Sequence, residues 1–345
     1  MSELRYDPLR DRYALIAPER LHRPDCYHPG GKRERKKERR CPFCEGNESM
    51  TPHEIFALRN NDPDTPGWKS RVIPNLYKAV KIEAPWRNEE EGVFHKWEGF
   101  GAHEVIVDTP RHLLRMDEWN EEEYFNWLYT MRARLCDLKN DIRLHFVSLF
   151  KNHGHYAGST QPHPHTQLIA LPAVPPQISA QLQRAHRHFH QNGRSLFETI
   201  LSHETKEGVR VVEETRRFVA LCPYASAFPF ETAIVAKEAP MSDLCAFDEE
   251  ALKELADLYG ALIGALYRQL GDFDFNVTID TPPLQKSFPT EAFFDDIPKI
   301  WRFGLDILPR LYRFGGFELG SGVPINPVAP EEAAALLRES LKESE

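Results

Sequence analysis

No apolar run in the 345-residue sequence approaches the ~20 residues that a membrane-spanning helix requires. The first residues, Met1-Ser2-Glu3-Leu4-Arg5-Tyr6-Asp7-Pro8, contain nothing like the apolar core of a signal peptide. The expectation is a soluble, cytoplasmic protein with no membrane partner. A surplus of positive charge is missing as well. Lys and Arg number 43 against 52 Asp and Glu, and the net charge of −9 argues against nucleic acid as a partner, because binders of that backbone display a basic face. Cysteine is sparse and mostly isolated. Of six, only Cys41 and Cys44 are close in sequence, while Cys26, Cys136, Cys222 and Cys245 are scattered, a pattern that suits reduced thiols and one metal knuckle better than a disulfide framework.

What is present begins with a repeat. Strand-like His103-Glu104-Val105-Ile106-Val107 leads to a helix with Tyr124, Trp127, Leu128, Met131 and Leu135 on one face, then strands at 144–150 and 168–172. The second half repeats the order: a strand at 230–235, a helix with Leu255, Leu258, Tyr259, Leu262, Ile263 and Leu266 on one face, then strands at 275–279 and 305–309. The predicted fold class is α+β, each half an antiparallel sheet covered by helices. Between the halves, 177–189 reads as a helix whose His186, His188 and His190 form a solvated face. Residues 331–345 read as a terminal amphipathic helix.

The chemistry concentrates in Gln161-Pro162-His163-Pro164-His165-Thr166-Gln167. Where a strand begins, residues two apart share a face, so His163, His165 and Gln167 point the same way. Pro162 and Pro164 stiffen the approach. Such a pair can be a structural or metal-binding loop, or one ring can brace the backbone while the other attacks an electrophile. Upstream, Asn152 ends a β-like run, and the polar loop 152–160, with Gly154, Gly158, Ser159 and Thr160, suits a phosphate. Cys41-Pro42-Phe43-Cys44 is half a soft-metal site, a redox pair or a coincidence of spacing. The basic run 32–40 is a solvated loop or a lid that draws in phosphates. His103 is a possible ligand or a hydrogen-bonded core residue.

These motifs resemble the histidine-triad superfamily, specifically its nucleotidyltransferase branch, the galactose-1-phosphate uridylyltransferase family, with further similarity to ADP-glucose phosphorylases. The resemblance implies duplicated histidine-triad-like domains, 1–175 carrying the knuckle and active-site motif and 176–345 lacking the nucleophile. Aligning the halves sets Arg302 opposite His165 and Gly304 opposite Gln167. It implies that His165 takes up the nucleotidyl group from a nucleotide sugar, that sugar 1-phosphate leaves, and that a second phosphate then attacks. Gln167 contacts the phosphate as a neutral donor. One structural zinc is implied on Cys41, Cys44, His112 and His163. Arg20 and Arg23, in Arg20-Leu21-His22-Arg23-Pro24, would meet the phosphates, Asn75 the nucleotide, and Asn152, Ser159 and Thr160 the phosphate region. A homodimer is a further implication.

The chain also departs from the family. Where many relatives carry a second metal site, it has Ser195, Glu198, Gly304 and Asp306, so that second ion is expected to be lost. Leu76 stands where well-known uridylyltransferases have Asp, and Tyr312-Arg313 replaces their sugar-contacting Lys-Phe pattern. The leading expectation is a UDP-glucose:hexose-1-phosphate uridylyltransferase. An ADP-sugar phosphorylase with phosphate as acceptor is the alternative within enzymes, and a non-catalytic nucleotide-binding zinc scaffold the alternative outside them. The stretch 316–327, rich in glycine, is a turn or a phosphate contact.

Overall fold

The alternation of apolar and polar residues along the predicted strands translates into a sheet with one covered and one open face. The computed structural model describes residues 1–22, 40–113, 115–286 and 292–343. Its strands are β1 (Glu3–Asp7), β2 (Arg12–Ile16), β3 (Phe56–Leu58), β4 (Ser70–Pro74), β5 (Asn88–Glu91), β6 (Phe94–Trp97), β7 (Ala102–Val107), β8 (Phe146–His153), β9 (His165–Leu171), β10 (Val211–Glu214), β11 (Phe218–Leu221), β12 (Thr232–Ala236), β13 (Phe275–Asp280), β14 (Gly304–Pro309) and β15 (Ile325–Asn326). The helices are α1 (Glu121–Leu138), α2 (Pro176–Asn192), α3 (Leu196–Glu207), α4 (Glu249–Leu270), α5 (Ile297–Ile300), α6 (Gly316–Ser321) and α7 (Pro330–Lys342). No described helix is long and apolar enough to cross a membrane.

The two halves do not build separate sheets. Ten strands run β10-β11-β12-β14-β13-β8-β9-β7-β4-β3, all neighbours antiparallel, five from each half. The seam is β8 against β13, with Asn152 paired to Asn276 and Phe150 to Thr278. Each half places its strands in the same order outward from that seam, so the sequence repeat reappears as a pseudo-symmetric sheet.

Helices α1 and α4 cover one face. Val147, Leu149, Leu168, Ala170, Val277, Ile279, Leu305 and Ile307 meet Trp127, Leu128, Met131, Leu255, Tyr259 and Leu262 in one buried cluster. Burying each such large apolar side chain contributes roughly 1.5–3 kcal/mol. Both helices start at side-chain caps. Asn120 and Glu123 close a capping box on α1, and Asp248 accepts from the Ala251 amide on α4 at 2.7 Å. The opposite face carries Phe150 and Asn152 of β8, Gln167 and Ile169 of β9, and Asn276 and Thr278 of β13, all half-buried where their strand neighbours are buried.

Three expectations need correction. Cys136 of α1 and Cys245 are joined by a disulfide instead of remaining thiols. The packing of α1 against the short 3-10 turn Leu244–Ala246 brings together cysteines 109 residues apart, which sequence spacing cannot show. The helix-borne histidines are not merely solvated, because His186 and His190 both reach Asp296 and His188 reaches Thr199. The glycine-rich stretch begins with exposed helix α6, ended by Gly322 in the left-handed conformation at φ 70°.

The second half of the open face is charged. The β1–β2 hairpin lies across it, Arg10 Nη2 sits 2.5 Å from Asp306 Oδ2, and Arg12 Nη2 sits 3.2 Å from Glu231. A Cβ on Gly304 would lie 2.9 Å from Asp280 Oδ2, so a side chain matching Gln167 would force that carboxylate aside. Asp280 borders a cavity of about 380 Å³ that also touches Arg10 and Asp306. Burial first and Asp306 second push the Asp280 carboxyl well above the usual carboxylate range. A folded-state value above the unfolded one gives stability that is present below the unfolded value and is lost as pH rises through the folded one. Asp280→Asn is therefore expected to melt at a higher temperature than the parent at about pH 8. The gap should shrink steadily toward about pH 5, and a gap independent of pH would refute the assignment.

Candidate active site and metal centre

The geometry of the candidate active site follows from the register of β9. His165 and Gln167 lie two apart on this strand, His165 opposite Val107 and Gln167 opposite Val105 on β7. Between them Thr166 points to the helical layer, where its hydroxyl accepts from the Trp127 indole at 2.8 Å. Lys151 and Asp108, both buried, form an ion pair at 2.5 Å, and Lys151 Nζ also donates to the His165 carbonyl at 3.2 Å. The backbone at His165 is thus held from beneath.

His165 is buried, with 8 % exposure, and its Nδ1–H donates to the His163 carbonyl at 2.9 Å. That bond fixes the tautomer and leaves Nε2 with a free lone pair. Burial lowers the His165 pKa below the usual imidazole value, which favours the neutral nucleophilic ring. Phe43 packs edge-on against it at 5.6 Å.

Gln167 is oriented by His103. The Ala79 amide donates to His103 Nδ1 at 3.0 Å, so Nε2 carries the ring proton and donates to Gln167 Oε1 at 3.0 Å. The Gln167 amide NH₂ then remains as a neutral donor. Asn75 lies in the same group, its amide nitrogen 3.0 Å from His103 Nε2. His103 is therefore the hydrogen-bonded residue of the two readings its position allowed. Asn152 lies on the same face, one position beyond the Lys151–Thr166 pair, and its Oδ1 accepts from Asn276 at 2.8 Å. Asn276 escaped the sequence reading, although the repeat contained the signal, since equivalent strands meet at the seam.

The loop between β8 and His163 turns through Gly154 and Gly158, whose φ values of 86° and 88° suit glycine. Ser159 is partly buried and donates to the Gln161 carbonyl at 2.9 Å, while Thr160 is exposed. Arg313 lies over the Tyr156 ring of this loop at 4.7 Å. Tyr312 instead spends its hydroxyl on the Ala227 and Ile325 carbonyls at 2.8 and 2.6 Å, which makes it part of the framework. Arg20 is exposed in the middle of the 3-10 turn Pro18–His22, on a segment tied to the second half by the Ala17 amide bond to the Asn326 carbonyl. Arg23 and the basic run up to residue 39 lie outside the described residues.

Four predicted ligands converge. Cys41, Cys44, His112 and His163 offer donor atoms all within 4.8 Å of one another. Cys44 Sγ lies 3.3 Å from His112 Nδ1 and 3.6 Å from His163 Nδ1, and the two nitrogens are 3.3 Å apart. A tetrahedron with bonds of ~2.0–2.3 Å has edges of ~3.3–3.8 Å, so this set could hold a metal ion. His163 presents Nδ1 because its Nε2–H donates to the Thr109 carbonyl at 2.8 Å. His112 is placed by the turn before it, where Thr109 and Arg111 both donate to Glu123 at the start of α1. Burial pushes His163 down to about 4, which keeps its ring neutral for coordination. Ser195 caps α3, Glu198 faces Arg194, and Asp306 holds Arg10.

With this geometry, comparison with known proteins is decisive. The N-terminal domain model of galactose-1-phosphate uridyl transferase matches residues 1–175. An ADP-glucose phosphorylase of Arabidopsis thaliana is 32 % identical over 340 residues, covering 98 % of this chain and 92 % of that protein. The chain belongs to the galactose-1-phosphate uridylyltransferase family. Its reaction class is nucleotidyl transfer. A galactose-1-phosphate uridylyltransferase of Thermotoga maritima is 28 % identical over 347 residues, covering 99 % of both chains. Among solved structures, an Arabidopsis thaliana ADP-glucose phosphorylase with bound ADP-glucose superposes with a TM-score of 0.81 at 29 % identity, covering 98 % of this chain and 99 % of that one. The α+β fold shared with that structure accounts for the ten-stranded antiparallel sheet covered by helices.

Proposed function

We propose that this member of the family transfers a nucleotidyl group from a nucleoside-diphosphate sugar to a phosphate acceptor through a covalent intermediate on His165. The leading pair is UDP-glucose with a hexose 1-phosphate such as galactose 1-phosphate. The observation that carries the reading is the 2.9 Å bond from His165 Nδ1 to the His163 carbonyl, which aims the Nε2 lone pair out of the ring on the open face. In the first step that lone pair forms a bond to the α-phosphorus, and the bond to the bridging oxygen breaks. Sugar 1-phosphate leaves with the electron pair. The imidazolium character that develops is stabilised by the His163 carbonyl. In the second step a phosphate oxygen of the acceptor attacks the same phosphorus and the P–N bond breaks, restoring neutral His165. Gln167 donates to a non-bridging oxygen and has no acidic proton for hydrolysis. Asn75 is assigned to the nucleotide, and Asn152, Ser159 and Thr160 to the phosphate region. The phosphate role of Arg20 and Arg23 rests on the family resemblance.

Zinc is the ion proposed for Cys41, Cys44, His112 and His163. Two thiolates and two imidazoles close a tetrahedral site and leave no open position, so its role is to hold the His163 loop that positions His165. Residues 1–175 and 176–345 are the proposed domains, and a homodimer is the proposed assembly.

A second reading, ADP-glucose as donor with inorganic phosphate as acceptor, is favoured by the 32 % identity to an ADP-glucose phosphorylase and by Leu76 in place of the expected Asp. Turnover measured with each donor and acceptor pair separates the two. In either case transfer should outpace release of free nucleotide by at least about 100-fold while acceptor is present. Mainly UMP or AMP in the time course would contradict the role given to Gln167. No turnover with any pair would leave the non-catalytic scaffold.

A further inference from the structure

Away from the open face, a second set of ligating side chains converges on one point. His186 and His190 are one turn apart on α2, so their rings meet edge-on on the same helix face, with centroids 4.3 Å apart and planes inclined by 62°. Their Nε2 atoms are 3.0 Å apart, and Asp296 Oδ2 lies 3.2 Å from the first and 3.0 Å from the second. These three atoms make a nearly equilateral triangle. We propose that His186, His190 and Asp296 bind a divalent transition-metal ion of the zinc class, at a site separate from Cys41, Cys44, His112 and His163.

The proton inventory supports this. A neutral imidazole has one N–H. If both Nε2 atoms carry it toward Asp296, two N–H groups face each other across 3.0 Å. If only one does, the lone pair of the other faces the carboxylate oxygen. A cation at the centre satisfies all three lone pairs at once. The distances are in the coordinating range, since neighbouring ligands at ~2.0–2.1 Å from an ion are separated by ~2.8–3.0 Å in octahedral and ~3.3–3.4 Å in tetrahedral geometry, and the observed 3.0–3.2 Å spans the interval between them. Two imidazoles with one carboxylate suit zinc and its neighbours in the first transition row, and not the all-oxygen preference of magnesium or calcium.

The triangle is also held in place. Leu182 and Ala185 of α2 pack with Phe293, Ile297, Ile300 and Trp301 in a buried cluster, fixing the segment that carries Asp296 against the helix that carries both histidines. The other Asp296 oxygen accepts from Lys299 at 2.9 Å, which turns Oδ2 toward the rings. The His190 side chain is 57 % exposed, so water or an anionic ligand can complete the coordination sphere. The ion would tie α2 to α5 across 106 residues of sequence. It adds to the single structural zinc expected from sequence, and it is independent of the nucleotidyl-transfer reading because turnover is not its readout.

The test uses the full chain equilibrated with zinc and freed of unbound ion by gel filtration. Elemental analysis of His190→Ala should show one zinc fewer per chain than the parent. Asp296→Asn, which preserves shape, should show the same loss. Loading with cobalt separates the two sites, because only the site with Cys41 and Cys44 gives thiolate-to-cobalt charge transfer. That band should persist in both variants, which also shows that they fold, while the weaker bands of a nitrogen and oxygen site disappear. Equal zinc content and identical cobalt spectra in parent and variants would overturn the proposal.

Discussion

Replacing His165 with Asn is expected to lower nucleotidyl transfer by on the order of 10⁴-fold or more, about 5 kcal/mol of transition-state stabilisation, with the fold intact. The size follows from the loss of the group that makes and breaks the P–N bond, for which no other described side chain is a substitute. The buried Lys151–Asp108 pair and the Thr166 bond to Trp127 hold the strand from the helical side and do not depend on the imidazole. Asn can retain a donor toward the His163 carbonyl. The melting temperature should therefore stay within a few degrees of the parent, and zinc content should be unchanged. Rate assays over several decades of enzyme concentration check the first claim, and a variant with a near-normal rate would refute it.

The second large effect is expected from Cys44→Ser. Cys44 Sγ lies 3.3 and 3.6 Å from the two histidines of the candidate metal centre, and serine is a poor ligand for a soft ion. Losing the ion releases the knuckle, His112 and His163 together, and His163 supplies the carbonyl that orients His165. The expected cost is roughly 3–5 kcal/mol and a fall in melting temperature of roughly 5–10 °C, with loss of zinc from this site and a reduced rate. Zinc retention by the thiolate site in Cys44→Ser, read by elemental analysis against the parent, would remove the assignment.

Much of this was legible before any coordinates. Period-two alternation placed His165 and Gln167 on one face, helical periodicity found α1 and α4, and the repeat anticipated the matching halves of the sheet. Coordinates were needed wherever the partner is remote in sequence. Asp296 is 106 residues from His190 and Cys245 is 109 from Cys136, so neither pairing leaves a local pattern. The joining of the halves into one sheet depends on edge pairing of β8 with β13, which hydrophobic periodicity does not encode. His103 showed only strand periodicity, and its hold on Gln167 depends on the register of β7 against β9. The candidate metal ligands follow from the family resemblance, because a single C-x-x-C spacing leaves other readings open.

The central claim is the covalent role of His165, and it can be read in one experiment. The parent protein is mixed with UDP-glucose or ADP-glucose in the absence of acceptor, quenched, and its intact mass and peptide masses are measured. The account predicts a gain of one nucleotidyl group per chain, located on the peptide containing His165, absent in His165→Asn and discharged on adding hexose 1-phosphate or phosphate. Turnover without any such adduct, or an adduct on another residue that survives in His165→Asn, would contradict it.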